Sequence, residues 1–293
     1  MYNIVSDTVI RWDPRPEALF IPYFHIPLRW YGICFSLGLI LAALQFLPSL
    51  REKLRKSDSS PEEVNRRAHQ YLDGLIWFSL IGMIVGARLG HVVFYDWAYY
   101  REHLGEIPKI WQGGLASHGG TVGLLLSVFI YARRMRASFP EISFVNLCDL
   151  LAVPASLAAM CIRIGNFFNQ EIVGIPTSVP WGVAFGHPAD HLPPVPRHPV
   201  QLYEASAYLL TGIILSIWYR RTEGRIRPGR MFGAMLLFIF GSRFFLEFVK
   251  MPMTSMLNDA SLQMGQLLSL PFIAAGALLF FANGTKYQRQ EIG

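Results

Sequence analysis

Seven apolar runs, each near the length of a membrane span, constrain this chain more than anything else in it. They lie at about Trp30–Leu50, Tyr71–Tyr95, Leu115–Ala132, Phe144–Ile162, Pro199–Tyr219, Met231–Val249 and Met264–Ala282. A helix needs roughly 20 apolar residues to cross a hydrocarbon core. The expected class is therefore all-α: a polytopic integral membrane protein of about seven transmembrane helices. Composition agrees, because only 16% of residues are charged, where soluble domains carry nearer a quarter. A length of 293 residues suits one integral-membrane domain, residues 1–293. The net charge of +6 does not indicate nucleic acid, because the Lys and Arg residues sit in short segments between apolar runs. Loops after the first, third, fifth and seventh runs hold sixteen of them, and the N-terminus with the other loops holds eight. The positive-inside rule then places the N-terminus outside and the C-terminus in the cytoplasm. Residues 1–29 carry Pro14, Pro16, Pro22 and Pro27 but no basic stretch leading into an early apolar core. They read as a short flap at the outer membrane surface rather than a cleavable signal peptide.

Chemistry concentrates where the fourth run ends. Arg163-Ile-Gly-Asn166-Phe-Phe-Asn-Gln170-Glu171-Ile-Val-Gly174 sets a cation, three amides and a carboxylate beside a hydrophobic span. Polar groups there are costly unless they pair or face a wet cavity, which makes them candidates for function. If helical, the stretch would put Arg163, Asn166, Gln170 and Gly174 on one face. Its Asn and Gly content leaves other conformations open. Four more polar groups fall on the same predicted outer side: Trp30-Tyr31-Gly32, Gly113 to Gly120 around His118, Arg197 to Glu204, and Gly241 to Glu247.

Arg243 and Glu247 stand four apart and can pair on a helix; alone, they read equally as a structural lock or as an anion site with its orienting carboxylate. His118 among glycines reads as a cap or, near neutral pH, as a proton acceptor. Glycines at 82, 86 and 90 form a small-residue face that lets helices approach closely. Cys34, Cys148 and Cys161 lie in apolar runs without metal-ligand spacing and read as buried thiols. No metal site, phosphate loop or dinucleotide fingerprint is visible. Arginine forks suit phosphate, and an anionic lipid headgroup is the anion most available at this depth. The residues alone thus point to an enzyme or a carrier acting on phospholipid.

The pattern Arg163-x-Gly-Asn-Phe-x-Asn-x-Glu-x-x-Gly174 resembles the signature of the bacterial prolipoprotein diacylglyceryl transferase family. The likeness extends to Trp30-Tyr31-Gly32, Gly86-x-Arg88-x-Gly90, Gly114-x-x-x-His118-Gly-Gly, Arg197-His-Pro-x-Gln-Leu-Tyr-Glu204, Arg243-x-x-x-Glu247 and Met264-Gly-Gln-x-x-Ser269. It implies a bacterial inner-membrane enzyme that moves the diacylglyceryl group of phosphatidylglycerol onto the lipobox cysteine of a prolipoprotein signal peptide. A thioether forms, glycerol phosphate leaves, and no cofactor is needed.

By this resemblance His118, Arg163 and Arg243 are the catalytic set. Arg163 and Arg243 take the phosphate, and His118 takes the thiol proton. Tyr31, Asn166, Glu171 and Gly174 belong to substrate binding, Glu247 orients Arg243, and Glu204 and Arg88 stand in binding or support. The chain departs from the pattern at Ile239 with Phe240, where a tyrosine is usual, and at Arg29. The segment Pro176–Pro196, with His187 and His191, is least similar and is expected to form an outer head region, within the signature and head segment 163–199. The rival is a phospholipid or anionic-solute carrier; it lacks support from internal repeats, of which the chain shows none.

Overall fold

The structure is a computed structural model that describes residues 9–21, 26–55, 60–191, 193–251 and 262–281. Its long helices are α1 (Trp30–Arg55), α2 (Pro61–Phe94), α4 (Ser117–Met135), α5 (Phe144–Phe168), α6 (Val200–Arg221), α7 (Arg230–Leu246) and α8 (Met264–Phe281), with a single turn, α3 (Trp97–Tyr100), between α2 and α4. The short strands are β1 (Ile10–Trp12), β2 (Glu17–Ile21), β3 (Ile26–Arg29), β4 (Val183–Phe185) and β5 (Pro196–Arg197). The chain is a mostly helical, polytopic membrane protein.

Among the described residues, six helices are long and apolar enough to cross a bilayer: α1, α2, α5, α6, α8 and α7 with the turn that follows it. The run expected at Leu115–Ala132 is the helix α4, but it opens on Ser117-His118-Gly119-Gly120 and closes on Arg133 and Arg134. Those polar ends lower its apolar character below that of the other six. Exposed faces elsewhere are apolar, as at Leu44, Trp77, Ile81, Val122 and Leu210. Lipid solvates such faces at no cost, so helix association here must come from close packing and polar contacts.

The chain divides into two compact units, one of residues 1–46 with 148–293 and one of 47–147. In the unit 47–147, α2 starts ten residues before the apolar run. Ser60 accepts from the Glu63 amide at 3.2 Å and Pro61 follows it. A serine N-cap with proline next is a strong helix start, and it carries a charged extension into the span. The glycine face works as expected. A Cβ at Gly82 would strike Ser127, one at Gly86 would strike Gly119 and Gly123, and one at Gly90 would strike Gly119. The α2 and α4 backbones therefore touch, and the Ala116 amide donates to the Ala87 carbonyl at 2.9 Å. Further along, the Tyr131 hydroxyl donates to the Tyr71 carbonyl at 2.7 Å.

In the other unit, α5, α6 and α7 share a core of Ala152, Val153, Leu215, Met231, Ala234, Met235 and Leu236, with Leu279 and Phe280 of α8 packed on it. Asp149 caps α7 from α5. Its two oxygens accept from the Gly229 amide at 2.6 Å and the Phe232 amide at 2.9 Å. A carboxylate on these orphan donors is favoured by charge as well as by hydrogen bonding.

The described part of the N-terminal segment carries three short strands. β1 pairs in parallel with β4, and β4 pairs antiparallel with β5, while β2 and β3 form a hairpin. Residues 10–12 are thus tied to residues 183–185, with Trp12 packed on Phe167, Val173, Val183 and Phe185. Residues 1–8 and 22–25 of the expected flap lie outside the described residues.

Candidate active site

The signature is helical only as far as Phe168, so the shared face expected for Arg163, Asn166, Gln170 and Gly174 ends at its second member. The Gln170 amide donates to Phe167 O at 3.1 Å and the Glu171 amide to Asn166 O at 3.1 Å. That pair of bonds is a Schellman close with its left-handed position on Gln170, φ +53°. Glycine usually stands there, because a Cβ costs about 1–2 kcal/mol in this conformation. Gln170 is buried and makes three outside bonds. Nε2 donates to Asp13 Oδ1 at 3.1 Å, Oε1 accepts from the His187 amide at 2.7 Å, and its carbonyl accepts from the Ala189 amide at 3.0 Å. At roughly 1 kcal/mol net each, these offset the strain. Gln170 therefore joins the end of α5 to Asp13 and to residues 187–189.

The turn folds Glu171 back onto the helix end. Glu171 Oε1 accepts from Asn166 Nδ2 at 2.8 Å and from Asn169 Nδ2 at 3.2 Å. Asn166 Oδ1 accepts from Arg163 Nη1 at 2.9 Å. Arg163 Nε lies 2.7 Å from Glu204 Oε2 on α6, a carboxylate with no solvent exposure. The Tyr208 hydroxyl also bonds Arg163. Tyr31 packs against Gly165, where a Cβ would meet its ring, and is close enough to feel both Arg163 and Glu171. The structure thus gathers Arg163, Asn166, Glu171, Glu204 and Tyr31 at one place. Of its five N–H donors, Arg163 keeps some beyond its Glu204, Asn166 and Tyr208 contacts.

Gly174 is placed by its backbone. Its amide donates to His198 O at 3.1 Å, it bridges Lys250, and any Cβ would collide with His198 and Val200. Gln201, buried one turn before Glu204, donates to the Glu171 carbonyl at 2.7 Å. Arg197 is buried and meets Asp190 at 2.9 Å.

Arg243 and Glu247 do not form the expected pair. The helix tightens into a 3-10 turn at Glu247–Val249. Glu247 meets Lys250 at 3.5 Å, and its carboxylate fills the space beside Gly265. Among the described residues Arg243 makes no ion pair, and it lies near Tyr208. The opening of α8 is built around this turn, with Gln266 Nε2 donating to Phe244 O at 3.3 Å and Ser269 Oγ to Gly265 O at 2.7 Å.

In the unit 47–147, Arg88 is buried and held by four bonds to backbone carbonyls. Nε donates to Ile107 O at 2.7 Å, Nη2 to Glu106 O at 2.8 Å, and Nη1 to Gly113 O at 2.7 Å and Gly114 O at 3.2 Å. Its guanidinium also lies 4.9 Å from the Tyr100 ring centre. This is the work of a loop clamp. His118 is exposed in the first turn of α4 and makes no hydrogen bond among the described residues. Two groups at the first site were not singled out from sequence, Lys250 and Tyr208. The only hint of Lys250 is its i,i+3 spacing from Glu247.

Outside the long apolar helices, Asp13 accepts from His187 Nδ1 at 2.7 Å and from Gln170. The His187 contact, with help from the Gln170 amide, holds the Asp13 carboxyl below the usual carboxylate range. A depressed carboxylate stabilises the fold above its unfolded pKa, and that contribution is lost as pH falls through the folded value. Protection of residues 9–21 against amide exchange, taken relative to the intrinsic rate at each pH, is therefore expected to fall below about pH 4. The change should be modest because the pair is exposed. Asp13→Asn should remove that acid step, and an unaltered step in the variant would assign it to another group.

A polytopic helical membrane protein with a buried arginine–carboxylate–amide cluster at a helix end is the class that fold and site define. The family profile described as prolipoprotein diacylglyceryl transferase matches residues 16–282. Relatives described as phosphatidylglycerol–prolipoprotein diacylglyceryl transferase include those of Protochlamydia amoebophila, 37% identical with 92% of this chain and 93% of the relative covered, and Chlamydia caviae, 42% identical with 91% and 90% covered. That of Tolumonas auensis is 36% identical, with 95% and 99% covered. The chain belongs to the prolipoprotein diacylglyceryl transferase family, whose curated members are enzymes.

Proposed function

We propose that this chain transfers the diacylglyceryl group of phosphatidylglycerol to the lipobox cysteine of a prolipoprotein signal peptide. The Arg163 cluster carries the reading: a cation fixed on two sides, with donors left over, in a chain of this family. The thiolate sulfur attacks the glyceryl carbon that bears the phosphate ester. The C–S bond forms, the C–O bond breaks, and the electron pair leaves on the phosphate oxygen of glycerol phosphate. Arg163 and Arg243 bind the phosphate and stabilise charge growing on the leaving oxygen. Asn166 and Glu171 hold Arg163 and the headgroup, Glu204 fixes the guanidinium plane, and Tyr31 positions headgroup or peptide. Gly174 keeps the backbone close behind them, and Arg88 holds the loop that leads into α4.

His118 takes the thiol proton, since the thiolate is the nucleophile. His118→Gln should lower kcat about 10²-fold with KM for lipid unchanged; an unchanged kcat would place the base elsewhere. The setting is the bacterial inner membrane, with seven spans, the N-terminus periplasmic and the C-terminus cytoplasmic. Residues 1–293 act as one integral-membrane domain, with 163–199 as its periplasmic signature and head.

The test mixes purified protein, phosphatidylglycerol and a lipobox peptide in micelles, with mass spectrometry of the peptide. The expected result is a diacylglyceryl mass on the cysteine, absent from a Cys→Ser peptide. An unmodified peptide from folded, lipid-binding protein would favour the carrier reading.

A further inference from the structure

Lys250 has no role in the reaction as derived above, yet it is only 4% exposed. Its ammonium lies 3.3 Å from Glu204 Oε1 and 3.5 Å from Glu247 Oε2. A buried ammonium persists only where it is paired. Its backbone is fixed as well, since its amide donates to Glu247 O at 3.1 Å and the residue bridges Gly174.

Because Glu204 holds Arg163 on its other oxygen, the charges run in a line: Arg163, Glu204, Lys250, Glu247. Two cations alternate with two carboxylates, so the line is neutral. It joins α5, α6 and the turn after α7, and Glu247 rests on the start of α8. Without Lys250 the line would carry one net negative charge beside Arg163. Glu204 would then draw on Arg163 alone. Both effects oppose an incoming anion, and neither is screened well in a buried site.

We propose that Lys250 is a positioning residue of the anion site. It balances Glu204 and so keeps the free edge of Arg163 available to the phosphate of an anionic lipid. The inference rests on the phosphatidylglycerol reading above. Lys250 touches no reacting atom, so its effect falls on lipid binding more than on the chemical step.

The experiment compares wild type, Lys250→Met, Lys250→Arg and the double variant Glu204→Gln/Lys250→Met in the micelle assay, over a range of phosphatidylglycerol mole fractions. Lys250→Met should raise KM for the lipid about tenfold, with kcat changed less than about threefold. Lys250→Arg should restore KM. The double variant, whose line is neutral again, should recover KM while kcat falls below that of Lys250→Met, because Glu204 no longer orients Arg163. Lys250→Gln carries the same comparison if the methionine variant does not fold. An unchanged KM in a folded Lys250→Met or Lys250→Gln, or a double variant as weak in lipid binding as the single, would overturn the proposal. An active wild type with those results would sink this inference alone. A wild type that modifies no peptide would instead sink the functional reading beneath it.

Discussion

Replacing Arg163 with lysine is expected to reduce kcat/KM by about 10²–10³-fold, the range seen when one preorganised donor to a developing anion is lost. The geometry explains why keeping the charge is not enough. Arg163 meets Glu204 with Nε at 2.7 Å and Asn166 with Nη1 at 2.9 Å, bonds Tyr208 as well, and still has N–H donors to offer. A guanidinium does this because its five donors lie in one rigid plane. An ammonium on a shorter stem is a single point. Beside the buried Glu204 it satisfies the carboxylate and leaves Asn166 Oδ1 without its donor. Drawn toward substrate, it leaves Glu204 to Lys250 alone. Folding should survive, because the buried carboxylate keeps a cation in either case. Initial rates in the micelle assay, with thermal unfolding as a control for folding, decide the matter. Turnover within threefold of wild type would remove Arg163 from the phosphate clamp.

The parts of the fold that could be read from sequence are those in which one run of residues determines its own environment. Each of the seven apolar runs is a helix, because length and hydropathy are local properties and the bilayer imposes a common length. The polar cluster at the end of α5 was visible because Arg163, Asn166 and Glu171 break an apolar pattern within nine positions. What was not legible depends on partners far apart in the chain. Gln170 looked like a member of the cluster, but the left-handed turn sends it toward Asp13 and His187. Glu247 looked like the partner of Arg243, but the 3-10 turn hands it to Lys250. Three-residue strands such as β1 carry too little pattern to be seen, and β1 forms against residues more than 170 positions away. Arg88 spends its charge on backbone carbonyls, which leave no trace in side-chain identity.

Gly86→Leu should cost the fold more than any surface change, because the partner of Gly86 is backbone. A Cβ there would strike the Gly119 carbonyl and Gly123, so even alanine must push α2 and α4 apart. In lipid the helices gain little from burying apolar groups, and contact of small residues supplies much of their attraction. Separating the backbones by the width of a leucine also spreads Gly82 from Ser127 and Gly90 from Gly119. Overpacking a close site costs about 1–3 kcal/mol and at times more. Alanine at position 86 should fall within that range, and leucine at or above its upper end. The shift should appear as a lower midpoint of thermal unfolding in detergent, by roughly 2–4 °C per kcal/mol for a chain of this size. Gly105→Ala is the control, since nothing lies within 4 Å of its added Cβ. If Gly86→Leu unfolds at the wild-type temperature, the α2–α4 contact is not what holds these helices together.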